Sequence, residues 1–95
     1  MILNPISASD LRSRLHNGEK LVILDVREPY EVEEASIQPS IHIPLLELPE
    51  RVGELDAYKN SELVVYCRSG NRSAQGCLFL ELSGFTNVQI GRAHV

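Results

Sequence analysis

The chain has 95 residues, enough for one compact domain with a single core and too few to divide into two. A composition 43% hydrophobic and 23% charged, with no Trp, excludes the disordered and fibrous classes. The net charge of -4 excludes a broadly basic face for nucleic acid or anionic membrane, so any cationic site has to be local.

The opening stretch, MILNPISASD, lacks the charged and apolar regions of a signal peptide, and no apolar run reaches the roughly 20 residues of a membrane span. A cytoplasmic location is therefore expected. SASDLRSRLHNG offers Ser7 or Ser9 as N-cap, Leu11 and Leu15 at i, i+4, and Asn17-Gly18 as a stop, which predicts a short helix. LVILDV, Leu21 to Val26, is a continuous apolar and β-branched run, the pattern of a strand buried on both faces. Pro29 suits the first turn of a short helix through YEVEEA, and Ile41 to Ile43 reads as a short strand closed by Pro44. LLELPERVGEL spaces Leu48, Val52 and Leu55 helically but carries Pro49 and Gly53, so a broken helix is expected. Glu62 to Tyr66 is the second strong strand, Ser73 to Ser83 a helix stopped by Gly84, and Asn87 to Ile90 the last strand. With no repeats or linkers, strand and helix alternate along residues 1–95, predicting one α/β domain with a mainly parallel sheet and helices on both faces.

The chemistry concentrates in VVYCRSGNRS, Val64 to Ser73. In open α/β sheets reactive groups gather at the carboxyl ends of strands, which is where Cys67 falls. The short loop behind it contains Gly70, which lets backbone N–H groups turn toward a common centre. The following helix directs its positive end at the same centre, and Arg68 and Arg72 bring formal charge if they fold inward. All three features favour thiolate over thiol and imply nucleophilic chemistry, the covalent intermediate being held in a ring of N–H donors.

YCRSGNRSA, together with LDVREPYEVEEASI, Ile43-Pro44 and SGFTNV, resembles a single-domain rhodanese, a sulfurtransferase; the likeness covers about residues 5 to 90. The resemblance implies a three-layer fold with about five strands. It implies that Cys67 takes a sulfane sulfur from a small donor such as thiosulfate, becomes a persulfide, and passes the sulfur to a thiol or cyanide acceptor. A sulfur-relay protein is among the partners this allows. By matching position Cys67 is the nucleophile, and Arg68, Ser69, Gly70, Asn71 and Arg72 form the anion-binding loop around the outer sulfur. Phosphatases of the related fold place five residues between cysteine and arginine; here four, Arg68 to Asn71, intervene, a loop sized for sulfur. Arg68 is expected to meet an anionic donor at the mouth. The chain departs from the family pattern at Ala35 to Ser40 and at Ala93-His94, and it stops at Val95 without the C-terminal helix many members add, so these turns are expected to differ.

Other residues read more plainly. Cys77 shares a helix face with Ala74 and Leu78 or Leu80 and belongs to the core. Asp25 and Arg27 form a structural ion pair or orient the active loop, the first being favoured. Glu28, Glu31, Glu33 and Glu34 look like a solvated helix face. His16, His42 and His94 are isolated, so no metal is expected, and no Walker loop suggests a nucleotide. The expectation is a monomeric sulfurtransferase without cofactor, nucleic acid or membrane partner. A non-catalytic interaction module, and a phosphatase or arsenate reductase, are the alternatives.

Overall fold

The computed structural model describes residues 4–93. Five parallel strands form one sheet in the order β1-β5-β4-β2-β3, where β1 is Ile6–Ser7, β2 Val22–Asp25, β3 Ile41–His42, β4 Leu63–Cys67 and β5 Val88–Arg92. Helices α1 (Ala8–His16), α2 (Pro29–Glu34), α3 (Leu48–Arg51) and α4 (Asn71–Leu82) connect them. The α/β architecture expected from the alternation is the one found. Ser7 caps α1, its hydroxyl accepting from the Asp10 N–H at 3.1 Å, and Pro29 opens α2. The segment with Pro49 and Gly53 is broken as its sequence predicts: a 3-10 turn at Leu45–Glu47, α3, and a second 3-10 stretch at Val52–Tyr58.

Several bounds differ from the sequence expectation: β4 runs to Cys67 and β5 to Arg92. β1 was not anticipated; its two residues pair with Gly91 and Arg92 at the sheet edge, a segment too short to show periodicity. Helix α4 starts at Asn71 rather than near Ser73. Its N-cap is Gly70, which has no side chain to accept an N–H of the first turn.

The strand period of two sorts β4 between two cores. Leu63, Val65 and Cys67 face Leu80 and Cys77 of α4, while Val64 and Tyr66 face Leu11 of α1 and Ile37. All five β4 residues are buried, which is why the run reads as continuously apolar. Gly76 brings α4 close to this face: a Cβ there would lie 3.0 Å from Val65 Cγ1. Close contact fixes the height at which α4 begins over the end of β4.

From β2 the chain runs out to β3 on one side and returns to β4 on the other. The carboxyl ends of β2 and β4 therefore flank the point where strand order reverses, the crevice in which open α/β sheets bind ligands. Asp25 ends β2 and Cys67 ends β4.

Candidate active site

Cys67 Sγ is completely buried, but not among apolar atoms alone. Gly70 takes φ +100°, a left-handed conformation that residues with a Cβ avoid, and this turn sends the chain back over the sulfur. The Gly70 N–H donates to Sγ at 3.0 Å and the Ser73 N–H at 3.3 Å. Ser73 occupies the third position of α4, whose N–H would be orphaned at the helix start; the sulfur serves as its cap. Ser73 Oγ also lies 3.3 Å from Sγ and can donate to the Gly70 and Gly91 carbonyls at 3.1 and 3.2 Å. Four further amides, at Arg68, Ser69, Asn71 and Arg72, have no hydrogen-bond acceptor among the described residues. Two amides are committed to the sulfur and four are left over at the positive end of a 12-residue helix.

The side chains of the loop divide. Arg68, Ser69 and Asn71 are exposed, and Arg68 makes no ion pair among the described residues. Arg72 does not present its charge to the loop centre unopposed, as the sequence reading allowed. It forms a bidentate pair with Glu31, at 2.6 and 2.9 Å, because an arginine in the first turn of α4 meets the first turn of α2. Glu31 is thus a structural partner rather than part of a solvated face. Its carboxylate also accepts from the Glu28 N–H at 2.9 Å. The Arg72 guanidinium, with that amide, pulls the Glu31 carboxyl down to about 2. No sequence signal pointed to this pair, whose members stand 41 residues apart.

On the β2 side Asp25 and Arg27 neutralise each other inside the protein. Arg27 Nη2 donates to Asp25 Oδ2 at 2.8 Å and to the Ala35 carbonyl at 2.8 Å, its Nε donates to both Asp25 oxygens, and the guanidinium lies 5.2 Å from the Tyr66 ring centroid. His42 Nε2 sits 2.7 Å from the Arg27 carbonyl. A cleft of about 290 Å³ opens between these groups and the cysteine loop, lined by Arg27, Tyr30, Glu31, Glu34, Arg68 and Ala93 among others. Burial pushes the Cys77 thiol up to about 12, and it contributes no polar group to the site. His16 and His42 lie apart, and no group of three metal-ligating side chains gathers among the described residues; His94 lies outside them.

The sequence profile of the Rhodanese-like domain matches residues 7–92. The chain belongs to that family. Among similar rhodanese-like proteins is Bacillus subtilis YtwF, provisionally named a sulfurtransferase, 38% identical over 90 residues that make up 95% of this chain and 85% of that protein. A sulfurtransferase of Allochromatium vinosum is 33% identical, covering 92% of this chain and 79% of its own. The crystal structure of a rhodanese-related protein from Thermoplasma volcanium superposes with a TM-score of 0.78 at 35% identity, covering 96% of this chain and 85% of that one. Longer relatives include a Bacillus subtilis protein provisionally named a sulfur carrier, and tRNA sulfurtransferases. By homology this rhodanese-like chain is a member of a sulfurtransferase family. Its cysteine loop occupies the strand order's reversal point, and Ser73, the one loop-proximal hydroxyl on the sulfur, is the residue that sequence reasoning passed over as a plain helix residue.

Proposed function

We propose that the protein moves a sulfane sulfur from a small anionic donor such as thiosulfate to a thiol or cyanide acceptor, through a persulfide on Cys67. The observation that carries this reading is the set of backbone amides around one buried sulfur: two donate to Sγ, and four neighbours lack acceptors among the described residues. In the loading step the Cys67 thiolate attacks the outer sulfur of thiosulfate; the S–S bond breaks and sulfite leaves with its electron pair. The outer sulfur of the resulting persulfide carries the negative charge, and the open amides of Arg68, Ser69, Asn71 and Arg72 solvate it. In the second step cyanide attacks that sulfur, thiocyanate departs and the Cys67 thiolate returns. Neither step needs a metal or an organic cofactor. Donors approach from the cleft beside Arg68, the loop cation with no carboxylate partner among the described residues.

Phosphatase chemistry has less support, because the guanidinium that would grip a phosphate, Arg72, is engaged by Glu31. The test is thiocyanate formation from thiosulfate and cyanide, expected in the native protein and abolished in Cys67→Ser. Intact mass after thiosulfate alone is expected to show one added sulfur. Phosphate release from an aryl phosphate without thiocyanate would overturn the reading. Arg68→Ala is expected to raise the KM for thiosulfate; an unchanged KM removes Arg68 from donor binding.

A further inference from the structure

Ser73 is completely buried, and its hydroxyl has more partners than it has protons. Its oxygen lies 3.3 Å from Cys67 Sγ, 3.1 Å from the Gly70 carbonyl and 3.2 Å from the Gly91 carbonyl. A hydroxyl carries one donor and two acceptor lone pairs. While Cys67 is a thiol, its S–H donates to Ser73 Oγ and the Ser73 O–H serves the carbonyls. A thiolate reverses the requirement, since it has no proton to give and needs donors. The Ser73 O–H can then turn to the sulfur without stranding the Gly70 carbonyl, which keeps the Ala74 N–H at 2.9 Å. In the persulfide Sγ is a neutral bridging atom, and the hydroxyl goes back to the carbonyls.

We propose that Ser73 is a catalytic residue whose hydroxyl rotates onto Cys67 Sγ whenever that atom carries charge, and so drives release of the outer sulfur to the acceptor. This rests on the persulfide reading above. The two steps differ in what happens to Sγ. During loading, Sγ surrenders its charge to the new S–S bond, so a donor on the thiolate holds it back. During discharge the acceptor takes the outer sulfur, the Sγ–S bond breaks and its electron pair returns to Sγ, so the same donor lowers the barrier. Nucleophilicity and leaving ability respond in opposite directions to thiolate stabilisation. The two amides act on Sγ in the same sense but cannot withdraw; the hydroxyl adds a donor that is available in one state and absent in the other.

The experiment separates the two half-reactions, both followed at one fixed pH. Loading with thiosulfate is followed by intact mass, and discharge of the isolated persulfide form by thiocyanate released on adding cyanide. In Ser73→Ala, discharge is expected to fall about tenfold, a discount for sulfur on the usual cost of losing an oxyanion donor, while loading is unchanged or faster. Persulfide accordingly accumulates during turnover. Ser73→Thr, which keeps the hydroxyl, is expected to restore the discharge rate. Both rates are read per loadable site, so partial unfolding lowers neither selectively, and Ser73→Gly supplies the same deletion if the alanine variant does not fold. Loading and discharge slowed alike, or neither changed, would overturn the role of Ser73 while leaving the persulfide reading intact. A native protein that never gains sulfur overturns both, and that outcome is visible before any variant is made.

Discussion

Cys67 and Cys77 lie in the same hydrophobic cluster, on the same side of the sheet, and both are shut off from solvent. Burial therefore cannot explain why one is suited to chemistry. Cys67 ends a strand beneath the first turn of a helix, where amides lack partners; its sulfur accepts from two of them and lies 3.3 Å from the Ser73 hydroxyl. Cys77 is in the body of that helix, where every amide is already spent on the helix itself, and nothing polar bonds to its sulfur among the described residues. On the proposed reading, what distinguishes the reactive thiol is that the backbone around it leaves donors uncommitted.

The sharpest break of this contrast is Cys67→Ser. Sulfur loading is expected to fall by roughly a thousandfold or more, as when a nucleophile is removed outright, with the melting temperature nearly unchanged because the hydroxyl accepts the same N–H groups. Intact mass after thiosulfate checks the first, and a thermal melt the second. Loading that survives the substitution would transfer the nucleophile elsewhere.

Gly70→Ala comes next, because it disturbs the donors without touching the sulfur. A Cβ at Gly70 would meet only ordinary contacts at 3.8 Å from Arg92 and Ile90, so the cost is conformational, from φ +100°. About 1–2 kcal/mol of stability is expected to go, the usual penalty for a left-handed residue with a Cβ. The turn that aims the Gly70 N–H at Sγ would relax with it. Thiocyanate turnover is expected to fall roughly tenfold to a hundredfold, less than the cost of losing a well-placed donor outright because the amide is re-aimed rather than removed. A stable variant with full turnover would show that amide to be dispensable.

How far the site was legible follows from the range over which each feature acts. β4, the glycine turn and the cysteine were readable because a buried strand, a left-handed turn and a thiol at their junction are local patterns within Leu63 to Ser73. The faces of β4 followed from its period of two. The early start of α4 was not readable, since its N-cap Gly70 offers no side-chain acceptor and the Ser73 amide of its first turn is taken instead by Cys67 Sγ, a group that residue-type rules for capping do not include. Arg72 looked like an anion ligand because its partner, Glu31, comes from a different helix. Only the packing of α2 beside α4 decides which carboxylate reaches which cation. Ser73 escaped notice for the same reason: its significance lies in two carbonyls and a sulfur that the fold brings around one hydroxyl.

Glu31→Gln sharpens the contrast between charges that serve the loop and charges that tie helices. Turnover is expected to stay within about threefold, while stability at pH 7 falls by about 1 kcal/mol, the upper end for a partly exposed pair. The sign with pH follows from the lowered Glu31 carboxyl. In the unfolded chain it titrates near its ordinary 4.5, and in the fold at about 2. Its stabilisation is therefore present above about pH 4.5 and is lost as pH falls toward 2. Denaturant melts at pH 7 and pH 3 test this: the gap between native protein and variant is expected to narrow at the lower pH.

The smallest effect on activity belongs to Cys77→Ala, and it closes the comparison from the other side. Removing a buried sulfur from a packed helix face is expected to cost about 1 kcal/mol, with sulfur loading on Cys67 unchanged. The two thiols also part company in alkali. Burial keeps the Cys77 thiol neutral up to about 12 in the fold, against an ordinary value of 9.0 in the unfolded chain. Its contribution to stability is complete below about pH 9 and drains away between pH 9 and 12, as the unfolded chain ionises and the folded one does not. Cys77→Ala lacks that drain, so its deficit relative to the native protein should shrink when melts at pH 8 and pH 11 are compared. Lysine and tyrosine titrations contribute equally to both proteins and cancel in the difference. A deficit that stays constant would mean that the Cys77 sulfur finds a polar partner in the fold, and the distinction between the two thiols would then be one of degree.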